Sequence, residues 1–206
     1  MNATCQGCGQ TLTTQMRFEN QVVSHHYRAN REDDIFQQNF FLAQCKHCHL
    51  IQLTNLFPVD ELTPNFNWIT CTEPEQHLDG LVADLIELPG VNSDSRILGL
   101  SFKEETTLAR FNRKGFKNTD IINLESDLGI KNPNTMIELV QHQFSQDCVE
   151  RFINRKDQVD VFIARHILEH AYDLKRFISA AKNIVKDDGY IVFEIPDCKP
   201  GLEQGD

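Results

Sequence analysis

Apolar positions along the chain fall into short continuous runs separated by amphipathic stretches. Val159 to Ala164 is the clearest run, rich in β-branched and aromatic side chains, with Asp157 and Gln158 before it and Arg165, His166, Glu169 and His170 after it. A run of this length reads as a strand buried on both faces, as in a parallel sheet. Leu174, Phe177, Ile178, Ala181 and Val185 then recur at helical spacing. Asp187-Asp188-Gly189 ends that helix, and Tyr190 to Ile195 is a second buried strand closed by Pro196. A strand, a crossover helix and a parallel strand make a right-handed βαβ unit.

The same alternation extends upstream. Leu78, Leu81, Val82, Leu85 and Ile86 predict a helix over 75–88, ended by Pro89-Gly90. Arg96 to Leu100 predicts the first sheet strand, 106–114 a helix with Gly115 at its end, and Thr119 to Leu124 a second strand reaching Glu125. Met136 to Val140, extending toward Phe144, reads as a third strand, and Val149 to Asn154 as a short helix. Strands alternating with helices imply a doubly wound parallel α/β sheet. Ligands of such sheets lie in the crevice at the carboxyl ends of the strands, so the polar cluster from Arg165 to His170 is a candidate site by position.

Ahead of this pattern, Phe40-Phe41-Leu42 and Leu50 to Leu53 read as short strands, Asn30 to Gln38 as a solvated connection, and Pro58, Pro64 and Pro74 as punctuation. Phe66, Trp68 and Ile69 supply apolar contacts there. The pattern divides the chain into a small N-terminal domain over 1–74 and a larger one over 75–206. There is no internal repeat and no low-complexity segment.

Composition narrows the function classes. The 206 residues carry a net charge of −10, with 40% hydrophobic and 24% charged residues, as in ordinary globular proteins. No apolar run approaches a membrane span. The N-terminus lacks the basic start and apolar core of a signal peptide, so a cytoplasmic location is the default expectation. Residues 1–75 hold four basic against eight acidic side chains, which argues against nucleic acid as a partner.

Seven cysteines are present, and four form two C-x-x-C pairs, Cys5/Cys8 and Cys45/Cys48. Two such knuckles complete a tetrahedral thiolate site for structural zinc, and Gly7 and Gly9 suit the tight turn. Free buried cysteines and a redox pair are the competing readings. His47 and His49 are possible replacements for a thiolate, while His25 and His26 lie in a polar loop and are not expected as ligands.

CQGC, CKHCHLIQL with its proline-rich continuation, VDVFIARHILEH and DDGYIVFEIPD together resemble the sugar C-methyltransferases. That family joins an N-terminal zinc-binding domain to a Rossmann-like class I S-adenosylmethionine-dependent methyltransferase domain. The resemblance implies C-methylation of a nucleotide-linked keto-deoxysugar, with S-adenosylmethionine and zinc as cofactors. It places Gly99, Leu100, Ser101, Glu125, Arg165 and His166 at the cofactor, with Glu125 facing the ribose hydroxyls, and His170 at the substrate, as a catalytic residue that acts as the base or assists one supplied by the family's later Glu-His segment. Where the family has a glycine-rich E-x-G-x-x-x-G loop, this chain has Gly99 for the acid and Ser101 and Glu105 for glycines. Phe66 and Trp68 occupy a region where the family often carries tyrosines. The family continues past the fifth strand with two more strands and a Glu-His segment, so the expectation is an incomplete sheet in the N-terminal portion of a longer protein.

Two other readings compete. His166-Ile167-Leu168-Glu169-His170 matches the H-x-x-E-H pattern of a zinc protease. The altered loop at Ser101 and Glu105 favours a non-catalytic zinc-containing binding module built on a degenerate methyltransferase fold.

Overall fold

Strand β6, Val159–Arg165, is buried along almost its whole length because both of its faces are covered. Val161 and Ile163 face one apolar cluster with helices α1 (His77–Ile86) and α2 (Glu105–Arg113). Phe162 and Ala164 face another with α4 (Gln146–Lys156) and α5 (Leu174–Ile184). The apolar run therefore has the physical cause the sequence suggested. The structure is a computed structural model and describes residues 3–12, 15–23, 27–63, 74–132, 135–197 and 199. His25, His26, Pro64, Phe66, Trp68 and Ile69, to which the sequence reading gave roles, lie outside the described residues.

Four parallel strands form the main sheet in the order β5-β4-β6-β7, with β4 Ile97–Gly99, β5 Thr119–Ile121 and β7 Val185–Glu194. This is the α/β, Rossmann-like architecture expected. The chain runs outward from β4 to β5, then crosses to the other side of β4 to make β6 and β7. The topological switch point thus lies between β4 and β6.

Three expectations need correction. The segment read as a third strand, Met136 to Val140, is helix α3, Ile137–Gln143. Ile137, Val140 and Phe144 are buried, and their i, i+3, i+7 spacing is helical. Val185 belongs to β7 rather than to the preceding helix, whose Ile178 is exposed. Asp187-Asp188-Gly189 lies within β7, in an irregularity where the pairing jumps from Val159↔Val185 to Val161↔Tyr190. Gly189 is required there, since a Cβ would lie 2.7 Å from the Asp160 carbonyl oxygen.

The N-terminal module is a three-stranded antiparallel sheet, β1-β2-β3, from Gln15–Val22, Gln37–Gln44 and Ile51–Leu53. The strands expected around the second knuckle are present, while β1 was not anticipated. Val23, Phe57 and Leu62 make its small core, against which Tyr172 of the larger domain packs. No helix among the described residues is long and apolar enough to cross a membrane.

Candidate functional site

Each knuckle has the same backbone wiring. Gly9 N–H donates to Cys5 O at 2.8 Å and His49 N–H to Cys45 O at 2.9 Å, and both Gly9 and His49 have left-handed φ. His49 thus serves a conformational role, and histidine tolerates that region better than most residues. Cys5 N–H and Cys45 N–H in turn donate to Gln10 O and Leu50 O. The knuckles bring all four Sγ atoms within 4.8 Å of one another, with Cys5–Cys48 and Cys8–Cys45 each at 3.5 Å.

A tetrahedral zinc with thiolate bonds of about 2.3 Å requires S···S edges of about 3.8 Å. The four thiols fit that ion, and the distances are too long for disulfides. The amides of Cys48 and His47 pull Cys45 down to about 6. The Leu50 amide also lowers Cys48, but Cys5, burial and the other thiols outweigh it and hold Cys48 at about 12. Without a cation, Cys48 therefore keeps its proton at neutral pH.

At the carboxyl ends of β6 and β7, Arg165 turns inward. Its Nε and Nη2 donate to the two oxygens of Glu194 at 2.9 and 3.2 Å, and Nη1 donates to the Lys103 carbonyl at 2.7 Å. The side chain is 2% exposed, with Glu75 a further 3.7 Å away. Burial opposes ionisation of Glu194, but Arg165 outweighs it and holds that carboxyl below the usual range. His166 and His77 both approach Glu194 Oε1, at 2.9 and 3.2 Å. His166 has φ of 51°, a left-handed conformation uncommon outside glycine.

The loop after β4 is closed on itself. Glu104 has no exposed surface, and its Oε2 accepts from Ser101 N–H at 2.6 Å and Ser101 Oγ at 3.0 Å. Oε1 accepts from Arg165 N–H across the sheet at 2.7 Å. Burial pushes the carboxyl up to about 7, against the pull of these donors and the Arg165 guanidinium. Gly99 permits this packing, since a Cβ there would lie 2.5 Å from the Glu104 Cβ. Leu100 and Ser101 are also buried. Glu125 is exposed, in a turn where Asn123 Oδ1 accepts from its N–H at 3.1 Å.

His170 lines a different space. A cavity of about 480 Å³ separates the N-terminal module from the segment after β6, within the usual range for small-molecule sites. Gln6, Leu50 and Phe57 line one side, and Leu168, His170 and Tyr172 the other. Glu138 of α3 also lines it, and its Oε2 is buried without a hydrogen-bond partner among the described residues. Tyr172 O–H donates to Phe57 O at 2.9 Å, and burial together with Glu138 pushes this phenol up to about 12, so it stays a donor.

The structure therefore divides the expected residues into groups. Gly99, Leu100, Ser101, Arg165 and His166 gather at the switch point, His170 faces the intermodule cavity, and Glu125 stands in the turn beyond β5. Glu104, Glu194, His77, Glu138 and Gln6 were not anticipated. Ser101-x-x-Glu104 is a capping-box spacing, the one local signal that could have exposed the first of them. The protease reading fails: Leu168–His170 is a short 3₁₀ turn, and His166 and His170 do not share an α-helical face. Among the described residues only the four cysteines are grouped to hold a metal.

A parallel sheet with a switch-point crevice at the carboxyl ends of its strands defines an open α/β fold of the cofactor-binding type. The family model described as a methyltransferase domain matches residues 65–204, and the chain belongs to that family. Membership assigns the class: an S-adenosylmethionine-dependent methyltransferase. No curated protein matches the chain. The crevice as folded does not fit that cofactor, because the Glu104 side chain fills the space above Gly99 and takes the strand-end amides of Ser101 and Arg165.

Proposed function

We propose that the chain takes part in C-methylation of a nucleotide-linked keto-deoxysugar, with the sugar held in the cavity that His170 lines. The carrying observation is the wall of that cavity. It is largely apolar, with an imidazole and with Glu138, whose Oε2 has no donor among the described residues. A deoxysugar offers both apolar ring carbons and hydroxyl donors, and a buried carboxylate oxygen gains most from such a donor. Among the described residues no lysine or arginine lines the cavity, while Glu138 and Glu169 do, so the sugar and not its diphosphate belongs there.

His170 is then the residue that removes a proton from the carbon next to the ketone. Imidazole is the side chain most often used for such transfers. The zinc-binding module, over 1–74, forms the opposite wall through Gln6, Leu50 and Phe57, and zinc held by Cys5, Cys8, Cys45 and Cys48 fixes that wall.

The test reads proton abstraction alone. The zinc-loaded chain is incubated with a nucleotide-linked keto-deoxysugar in deuterated water, and exchange next to the ketone is followed by NMR. Exchange that disappears in His170→Ala supports the reading; exchange no faster than in buffer contradicts it. A second reading, a non-catalytic binding module, is favoured by the closed loop at Glu104, and it predicts sugar binding without exchange.

A further inference from the structure

Glu104 sits where the fold would place a ligand. The crevice between β4 and β6 is the switch point of this sheet, and its floor is the pair of strand-end amides at Ser101 and Arg165. A cofactor whose amino-acid end carries a carboxylate seeks such N–H donors. Here both are occupied by a carboxylate of the chain itself.

Local capping alone does not explain the arrangement. A capping box accounts for Oε2, which serves Ser101 at the start of the 3₁₀ turn Phe102–Glu104. It does not account for Oε1, which reaches across to β6, nor for the complete burial of the side chain. It also leaves unexplained why the strand-end residue is Gly99, whose missing side chain is what lets the Glu104 Cβ seat against the backbone.

We infer that Glu104 is an intramolecular latch that occupies the cofactor crevice, and that S-adenosylmethionine binds this chain only when Glu104 swings out. The latch competes with the cofactor for the amides of Ser101 and Arg165. The apparent affinity is lowered by the fraction of molecules in which the latch is open. The inference rests on the family's cofactor and not on the identity of the sugar.

Calorimetric titration of the zinc-loaded chain with S-adenosylhomocysteine, the product form of the cofactor, tests it without any sugar. Glu104→Ala is expected to tighten binding by about tenfold or more over wild type. Glu104→Gln keeps the side-chain volume but must turn its NH₂ toward one of two N–H donors, so it loosens the latch without leaving a void. Gly99→Ala displaces Glu104 from the other side, and it too is expected to tighten binding. Cooperative melting and unchanged zinc content establish that each variant is folded. Wild-type binding as tight as that of the folded variants overturns the latch, and so does a lack of gain in every folded variant.

Discussion

The side chain of Gln6 accepts a hydrogen bond from the backbone N–H of Leu174 at 2.9 Å, joining residues 168 positions apart. Gln6 lies between Cys5 and Cys8 in the first knuckle, and Leu174 opens α5 of the sheet domain. The backbone N–H of Gln6 donates to the Gln52 side chain at 3.0 Å, so the knuckle ties both modules together. The thiol cluster and the wall of the cavity beside His170 are thereby joined through Gln6. Gln6→Ala leaves the Leu174 amide unpaired and is expected to cost about 1 kcal/mol in urea unfolding, with zinc content unchanged.

Zinc itself is expected at one ion per chain. Cys45→Ser or Cys48→Ser should abolish it by elemental analysis. Chelation should release the N-terminal module, since folding of such modules draws on metal-binding energy on the order of 10 kcal/mol. Protease sensitivity confined to residues before α1, with the sheet domain intact, is the expected pattern.

Among the described residues, Arg165 is the largest charged side chain held almost entirely inside the fold. Its guanidinium serves Glu194 at both oxygens and the Lys103 carbonyl, with almost no solvent contact. Arg165→Met leaves Glu194 with only His166 and His77 as partners and is expected to destabilise by roughly 3 kcal/mol, the low end for removal of one member of a buried pair. Denaturant unfolding of the variant measures this directly.

Glu104 gives stability a specific pH dependence. Its carboxyl lies at about 7 when folded, against an ordinary 4.5. The folded state therefore binds this proton more tightly than the unfolded one. The stabilisation is fully present below about 4.5 and is lost as pH rises through about 7. The charge of Arg165 acts on this carboxyl from a guanidinium that is itself paired with Glu194 and lies 3.7 Å from Glu75. Glu104→Gln should remove a slope worth roughly 3 kcal/mol across that window. Wild type and variant compared by urea unfolding from pH 4.5 to 7.5 provide the check; parallel curves contradict the assignment.

Much of the fold was legible because its causes are local. The two-sided burial of β6 shows as an apolar run interrupted only by Asp160, and the paired C-x-x-C spacing reports the thiol cluster. α3 was misread because its apolar residues are few and follow a turn, so a short run hid the spacing of Ile137, Val140 and Phe144. β1 was missed because Met16, Phe18 and Val22 are exposed, and its register comes from pairing with β2 rather than from a buried face. The site was less legible. Arg165 and His166 stand out in sequence, but their partner Glu194 looks like one polar residue in an apolar strand. The cavity beside His170 is made by two modules, and no local pattern records their contact.

The most direct test of the account is transfer of a labelled methyl group from S-adenosylmethionine to a nucleotide-linked keto-deoxysugar by the zinc-loaded chain, run with wild type, Glu104→Gln and His170→Ala. The account predicts label on the carbon next to the ketone, more turnover at limiting cofactor in Glu104→Gln, and a loss of about a hundredfold or more in His170→Ala. Saturable binding of S-adenosylhomocysteine with no label reaching any keto-deoxysugar would contradict it.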